Sequence, residues 1–140
     1  MTEPFRVRIG VRGYELDTNG HLNQAVYLLY AEHSRRECVR AAGIAEEKLQ
    51  AAGVGPVILE TTIRFRRELR DGDEVDVSCE FVWGEGKTFR ISQEIRRVDG
   101  TVAAELDVLA GMLDRRTRKL VPDPEAVFRS LASAPEVGHG

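Results

Sequence analysis

The sequence predicts an α+β fold in which one antiparallel sheet curls around a single long helix. Three observations lead there. Residues from Phe5 alternate apolar and polar, residues from about 23 to 42 repeat at helical spacing, and nearly everything from Gly53 to Leu113 reads as strand broken by short turns. A helix that carries small and apolar groups on two faces needs cover from more than one side, and a curled sheet provides it.

The first strand is read in FRVRIGVRGYE, where Phe5, Val7, Ile9 and Val11 alternate with Arg6, Arg8, Gly10 and Arg12. A polar loop from Asp17 leads into the helix, predicted from roughly Asn23 to Ala42. Ala25, Leu28, Leu29, Glu32, Arg36 and Val39 fall on one face; Tyr27, Ala31, Ser34, Cys38 and Ala42 fall on another. Gly43 ends the helix, as a glycine does where a left-handed residue is needed. IAEEKLQAAG adds a shorter helical turn or two. PVILETTIRF follows as a strand with Val57, Leu59, Thr61, Ile63 and Phe65 in phase. DEVDVSCEFVW sets Val75, Val77, Cys79, Phe81 and Trp83 opposite Glu74, Asp76, Ser78 and Glu80. KTFRISQEIRRV and TVAAELDVLAGML flank Asp99-Gly100, a two-residue hairpin signal. A short helix is predicted from Pro124 to about Leu131. The expected organisation is one domain over residues 1–131 and a polar, glycine-rich flexible tail over 132–140. One sheet around one central helix is the layout of a hotdog fold.

With 42% hydrophobic and 31% charged residues, the chain has a globular composition, and a net charge of -3 offers no clustered base for nucleic acid. No apolar run approaches the ~20 residues that span a bilayer. MTEPFRVRIG lacks the basic flank and apolar stretch of a signal peptide. Cys38 and Cys79 stand far apart in sequence, outside any C-x-x-C pairing, and read as reduced packing thiols. The expectation is a cytoplasmic protein with neither nucleic-acid nor membrane partners.

The chemistry concentrates in YELDTNGHLNQAVYLLY, where Asp17, Asn19 and His21 precede the helix. A calcium loop is excluded, because Leu22 and Leu28 stand where glycine and a carboxylate are required. Zinc needs three or four ligands and only Asp17 and His21 lie close, so no metal is expected. Asp17, Thr18, Asn19 and Asn23 are all good turn and cap residues, and the loop can be read as one that only launches the helix. A reactive reading uses the same geometry. Unpaired N–H groups at a helix start stabilise negative charge developing on a carbonyl oxygen. A carboxylate at that opening attacks the carbonyl or activates water, and Gly20 lets a substrate approach the backbone. A thioester suits this apparatus, because its thiolate leaves without a strong acid.

YELDTNGHLNQAVYLLYAEHSRRECVRAAG resembles the signature segment of the 4-hydroxybenzoyl-CoA thioesterase-like hotdog family, through Asp17, Gly20, His21, Asn23, Tyr27, Tyr30, Glu32, Ser34 and Arg35. Asp17 to Tyr27 is also similar to the D-x-N-x-H-x-N segment of plant acyl-ACP thioesterases, at Asp17, Asn19, His21 and Asn23. RFRRELRDGDEVDV looks like the family's strand-turn-strand, and GKTF resembles its G-K-S-F near the coenzyme. The sequence departs at Gln24, where a second Asn is common, and at Glu68, where Pro is frequent and where the difference bears on strand ending.

The likeness runs from Phe5 to Asp123 and implies an acyl-CoA or acyl-ACP thioesterase, with coenzyme A entering only as part of the substrate and no further cofactor. It implies Asp17 as nucleophile or general base, Asn19 and His21 as groups orienting the water or the acid, and the backbone amide of Gln24 as oxyanion donor. Gly20, Asn23 and Tyr27 are expected at the substrate. Lys87, which matches the family, and its neighbours Thr88 and Arg90 are candidates for the coenzyme phosphates; Arg64, Arg66 and Arg67 form a second candidate rim. Glu32, on the long helix, is the alternative acid, and Phe81 and Trp83 read as core.

The resemblance also implies a homodimer or homotetramer with the site between subunits, and the helix's second apolar face and the strand from Thr101 to Leu113 are expected in the subunit contact. Two rival readings are a hydratase or dehydratase acting on carrier-bound acyl chains and a non-catalytic thioester-binding protein. Hydratases show D-x-N-P-x-H, a spacing that D-T-N-G-H does not match.

Overall fold

The computed structural model describes residues 4–139. In chain order the elements are β1 (Phe5–Gly10), a 3-10 turn (Gly13–Glu15), α1 (Gln24–Ala41), α2 (Glu46–Ala52), β2 (Val54–Phe65), β3 (Glu74–Trp83), β4 (Thr88–Arg97), β5 (Val102–Asp114), β6 (Lys119–Leu120) and α3 (Pro124–Leu131). The strands form one sheet, ordered β1-β3-β4-β5-β2, with β6 paired to β5 and every pairing antiparallel. The α+β layout is the expected one. Among the described residues no helix is long and apolar enough to cross a membrane.

Period-two alternation builds the inner face of the sheet. Val75, Val77, Cys79 and Phe81 on β3 are buried, as are Phe89, Ile91 and Ile95 on β4. Onto this face α1 sets Tyr27, Tyr30, Ala31, Ser34 and Cys38, residues small enough at the centre to let the helix approach closely. Two buried polar groups seal the contact. Ser34 Oγ donates to Val77 O at 2.9 Å, while Gln93 Nε2 donates to Ala31 O at 2.9 Å and Gln93 Oε1 accepts from Arg35 Nη1 at 2.9 Å. Burial pulls the Arg35 guanidinium below its ordinary pKa.

Four expectations are corrected. The first strand stops at Gly10, because Arg12 N–H bonds to Glu15 Oε1 at 2.9 Å and the chain turns; Tyr30 OH donates to the same oxygen at 2.5 Å and ties the turn to α1. The helix is not covered on several sides within one chain: it lies over β1, β3 and β4, leaving Leu28 44% and Leu29 60% exposed. The phase expected for β2 is broken by a bulge between Ile58 and Glu60, so that Ile58, not Leu59, shares a side with Thr61, Ile63 and Phe65. The strand after Thr101 is interior, flanked by β4 and β2, so a subunit contact there would use its face; β1 and β2 are the edges of the sheet. Finally, residues 132–139 are not a loose tail. Ala134 N–H donates to Ala42 O and Phe81 N–H donates to Gly138 O, each at 2.8 Å, so backbone pairing fixes the segment.

Candidate active site

Asp17 organises the loop before α1. Its Oδ1 accepts from the backbone N–H of Asn19 at 2.8 Å and of His21 at 3.2 Å, while its own N–H donates to His21 O at 2.8 Å. This closed turn requires a positive φ at Gly20, +78°, which glycine adopts without strain. Among the described residues no donor is paired with Asp17 Oδ2. Asp17 is therefore a turn acceptor and not the helix cap.

The cap is Asn23, whose Oδ1 accepts from Ala25 N–H at 2.9 Å; its carbonyl accepts from Val26 N–H at 2.9 Å. That arrangement leaves the amide of Gln24, the first helical residue, without an acceptor among the described residues. A main-chain bond from Leu22 N–H to Leu69 O, 2.7 Å, fastens the helix start to the connection between β2 and β3.

The junction encloses an open cavity of about 540 Å³ whose walls include Asp17, His21, Asn23, Gln24, Tyr27 and Phe65. Tyr27 and Phe65 meet edge to face with ring centroids 5.0 Å apart, and burial holds the Tyr27 phenol above its usual pKa. Arg66, Arg67 and Glu68 complete the rim. Glu68 Oε2 lies 2.6 Å from His21 Nε2, and its Oε1 accepts from Arg70 Nε at 2.9 Å, so one carboxylate bridges the imidazole and a guanidinium.

Of the residues expected from the sequence, Asp17, His21, Asn23, Gln24 and Tyr27 line this cavity, with Asn19 and Gly20 on the adjoining turn. Lys87, Thr88 and Arg90 do not line it. They lie further along the sheet: the registers set Phe65 level with Ala104 and Ile95, and Thr88 and Arg90 stand seven and five residues beyond that level on β4, about 23 and 16 Å at ~3.3 Å per residue. Arg90 faces Asp107 at 3.6 Å there. Glu32 is also outside the cavity wall, paired with Arg36 at 2.6 Å. Glu68 and Phe65 are the site residues that sequence reasoning passed over. The available signal was the contiguous RFRREL run, read only for its strand end and its basic charge.

A family model described as the thioesterase-like superfamily matches residues 11–131. The chain is 39% identical over 79 residues to the chloroplastic acyl-acyl carrier protein thioesterase ATL3 of Arabidopsis thaliana, a match covering 56% of this chain and 42% of that protein. It is 27% identical over 116 residues to the long-chain acyl-CoA thioesterase FadM of Escherichia coli (strain K12), covering 82% of this chain and 87% of FadM. The crystal structure of YbaW, a probable thioesterase from Escherichia coli, superposes with a TM-score of 0.82 at 25% identity, covering 95% of this chain and 98% of that one. The chain spans 42% and 37% of the lengths of the two Arabidopsis proteins it matches.

Proposed function

The chain belongs to the thioesterase-like superfamily, and from that premise we propose that it hydrolyses an acyl thioester, of coenzyme A or of acyl carrier protein, to the free acid and the thiol. One observation carries the reading: the carboxylate of Asp17 and the unpaired amide of Gln24 border the same cavity. The thioester carbonyl oxygen is directed at the Gln24 N–H, which stabilises its negative charge as the tetrahedral species forms.

Asp17 acts in one of two ways. It attacks the carbonyl carbon and expels thiolate, and water then cleaves the resulting anhydride; or it takes a proton from water whose oxygen makes the attack, and the thiolate departs. In both, the thiolate is protonated on release. His21, held by Glu68, orients the water or the acid. Tyr27 and Phe65 provide an apolar wall for the acyl group.

No resident metal is needed in this scheme. Among the described residues no three histidine, cysteine or acidic side chains gather to hold one. The anionic part of the carrier is assigned to Arg67, which borders the cavity and donates to Arg66 O at 3.0 Å, whereas Arg66 pairs with Glu105 at 3.2 Å. Lys87, Thr88 and Arg90 enter the proposal only as groups that a second copy of the chain would contribute.

The test is thiol release from a panel of acyl-CoA and acyl carrier protein thioesters that varies chain length and aromatic character. Saturable hydrolysis of at least one class supports the reading. Absence of turnover across the panel, with tight thioester binding retained, makes the chain a binding protein instead.

A further inference from the structure

Residues 132–139 leave α3 and close over the ends of α1 and β3. Gly138, with φ +84°, packs so near Cys38 that a Cβ there would lie 2.6 Å from Sγ and 3.1 Å from the Phe81 ring. Its carbonyl holds the Phe81 amide. One residue on, the His139 ring stacks on Trp83 with centroids 5.7 Å apart and planes 20° off parallel, and it lies 5.8 Å from Phe81 and 5.6 Å from Phe128.

The indole N–H of Trp83 donates to His139 Nε2. Indole nitrogen can only donate, so this contact requires an unprotonated Nε2 and hence a neutral ring. Protonation sets two N–H donors against each other inside an aromatic cluster. We propose that residues 132–139 form a strap held closed by the neutral His139 imidazole and released when that ring takes up a proton, uncovering Phe81, Phe128 and the Cys38 thiol.

The surroundings agree in direction. Burial, first, and Arg129 on α3, second, hold His139 below its ordinary pKa; the carbonyls of Pro135 and Val137 and the carboxylate of Glu125 act in the opposite sense but are outweighed. From β3 the uncharged rings of Phe81 and Trp83 face it. Because the closed strap binds the proton less readily than the released one, closure is fully favoured above the unperturbed value of about 6.5. It is lost as pH falls from there through the lower value of the closed state.

Trp83 is the single tryptophan of the chain, so its emission reports this contact directly. The full 140-residue chain is titrated from neutral to acid pH by tryptophan fluorescence and by exchange of the Phe81 amide. The expected result is one emission step below about pH 6.5, with Phe81 protection falling at least tenfold while the Val77 and Ile91 amides keep theirs. In His139→Phe, which keeps a stacking ring but cannot gain a proton, both responses are expected to vanish. Should that variant fail to fold, His139→Gln carries the same comparison. An emission step that persists without His139, or a Phe81 amide indifferent to pH in the parent chain, overturns the proposal.

Discussion

Asp17 uses one carboxylate oxygen to close its own turn, and a turn acceptor need not be charged. Asparagine offers the same oxygen to Asn19 and His21, so Asp17→Asn is expected to shift stability by less than about 1 kcal/mol. It removes the charge that attacks or that accepts a proton, and kcat should fall by on the order of a hundredfold or more. Thiol release measured beside thermal melts checks both halves, and near-normal turnover would reduce Asp17 to a turn residue.

Glu68 gives a second prediction at this scale. Its carboxylate faces His21 at 2.6 Å, and Glu68→Gln keeps the shape while weakening a charge-assisted bond. About tenfold in kcat is expected, the equivalent of ~1.5 kcal/mol, with KM little altered. A raised KM at unchanged kcat would instead make Glu68 a substrate contact. These two acids also show where sequence reading stops. Asp17, Asn23 and Gln24 are neighbours in the chain, and their pattern announces a helix start. Glu68 joins them only because Leu22 pairs with Leu69, a contact between distant parts of the chain that no local pattern encodes.

Among the elements, the contact of α1 with the sheet depends on Gln93, which bonds to the helix backbone, to the Ser78 carbonyl and to the half-buried guanidinium of Arg35. Gln93→Leu is expected to cost about 2 kcal/mol, because it strands a half-buried charge whose acceptor has gone. Adding Arg35→Met removes that charge, and the pair should recover part of the loss; a denaturant series on the two single variants and the double one measures the coupling. Alternation alone makes β3 and β4 legible, since Val75, Val77, Cys79 and Phe81 sit one period apart and all face inward. It fails at β2, where the bulge at Leu59 resets the phase, and at residues 132–139. Polar and glycine-rich composition suggested freedom there, but the segment is fixed by main-chain bonds to Ala42 and Phe81 and by ring stacking, which composition does not register.

The whole molecule leaves apolar surface unaccounted for. Leu28 and Leu29 on α1 are exposed, and so are Ile58, Leu59 and Phe65 on β2, a strand that forms one edge of the sheet. An exposed apolar edge strand invites pairing with another chain, and exposed apolar patches mark interaction sites. We expect a second copy to cover this surface, with the α1 face and the β2 edge in the contact. Sedimentation at micromolar concentration should then show a dimer or a larger symmetric assembly, and a stable monomer would refute the expectation outright. Leu29→Glu sharpens the test. Leu29 is 60% exposed in the single chain, so the substitution should change the fold's own stability by no more than about 0.5 kcal/mol. Placed in an interface, the same carboxylate would be desolvated without a partner, which is costly enough to move the equilibrium toward monomer. Thiol release should fall in parallel if the second copy completes the site. An assembly that survives Leu29→Glu unchanged would remove the α1 face from the interface and leave the β2 edge as the remaining contact to be tested.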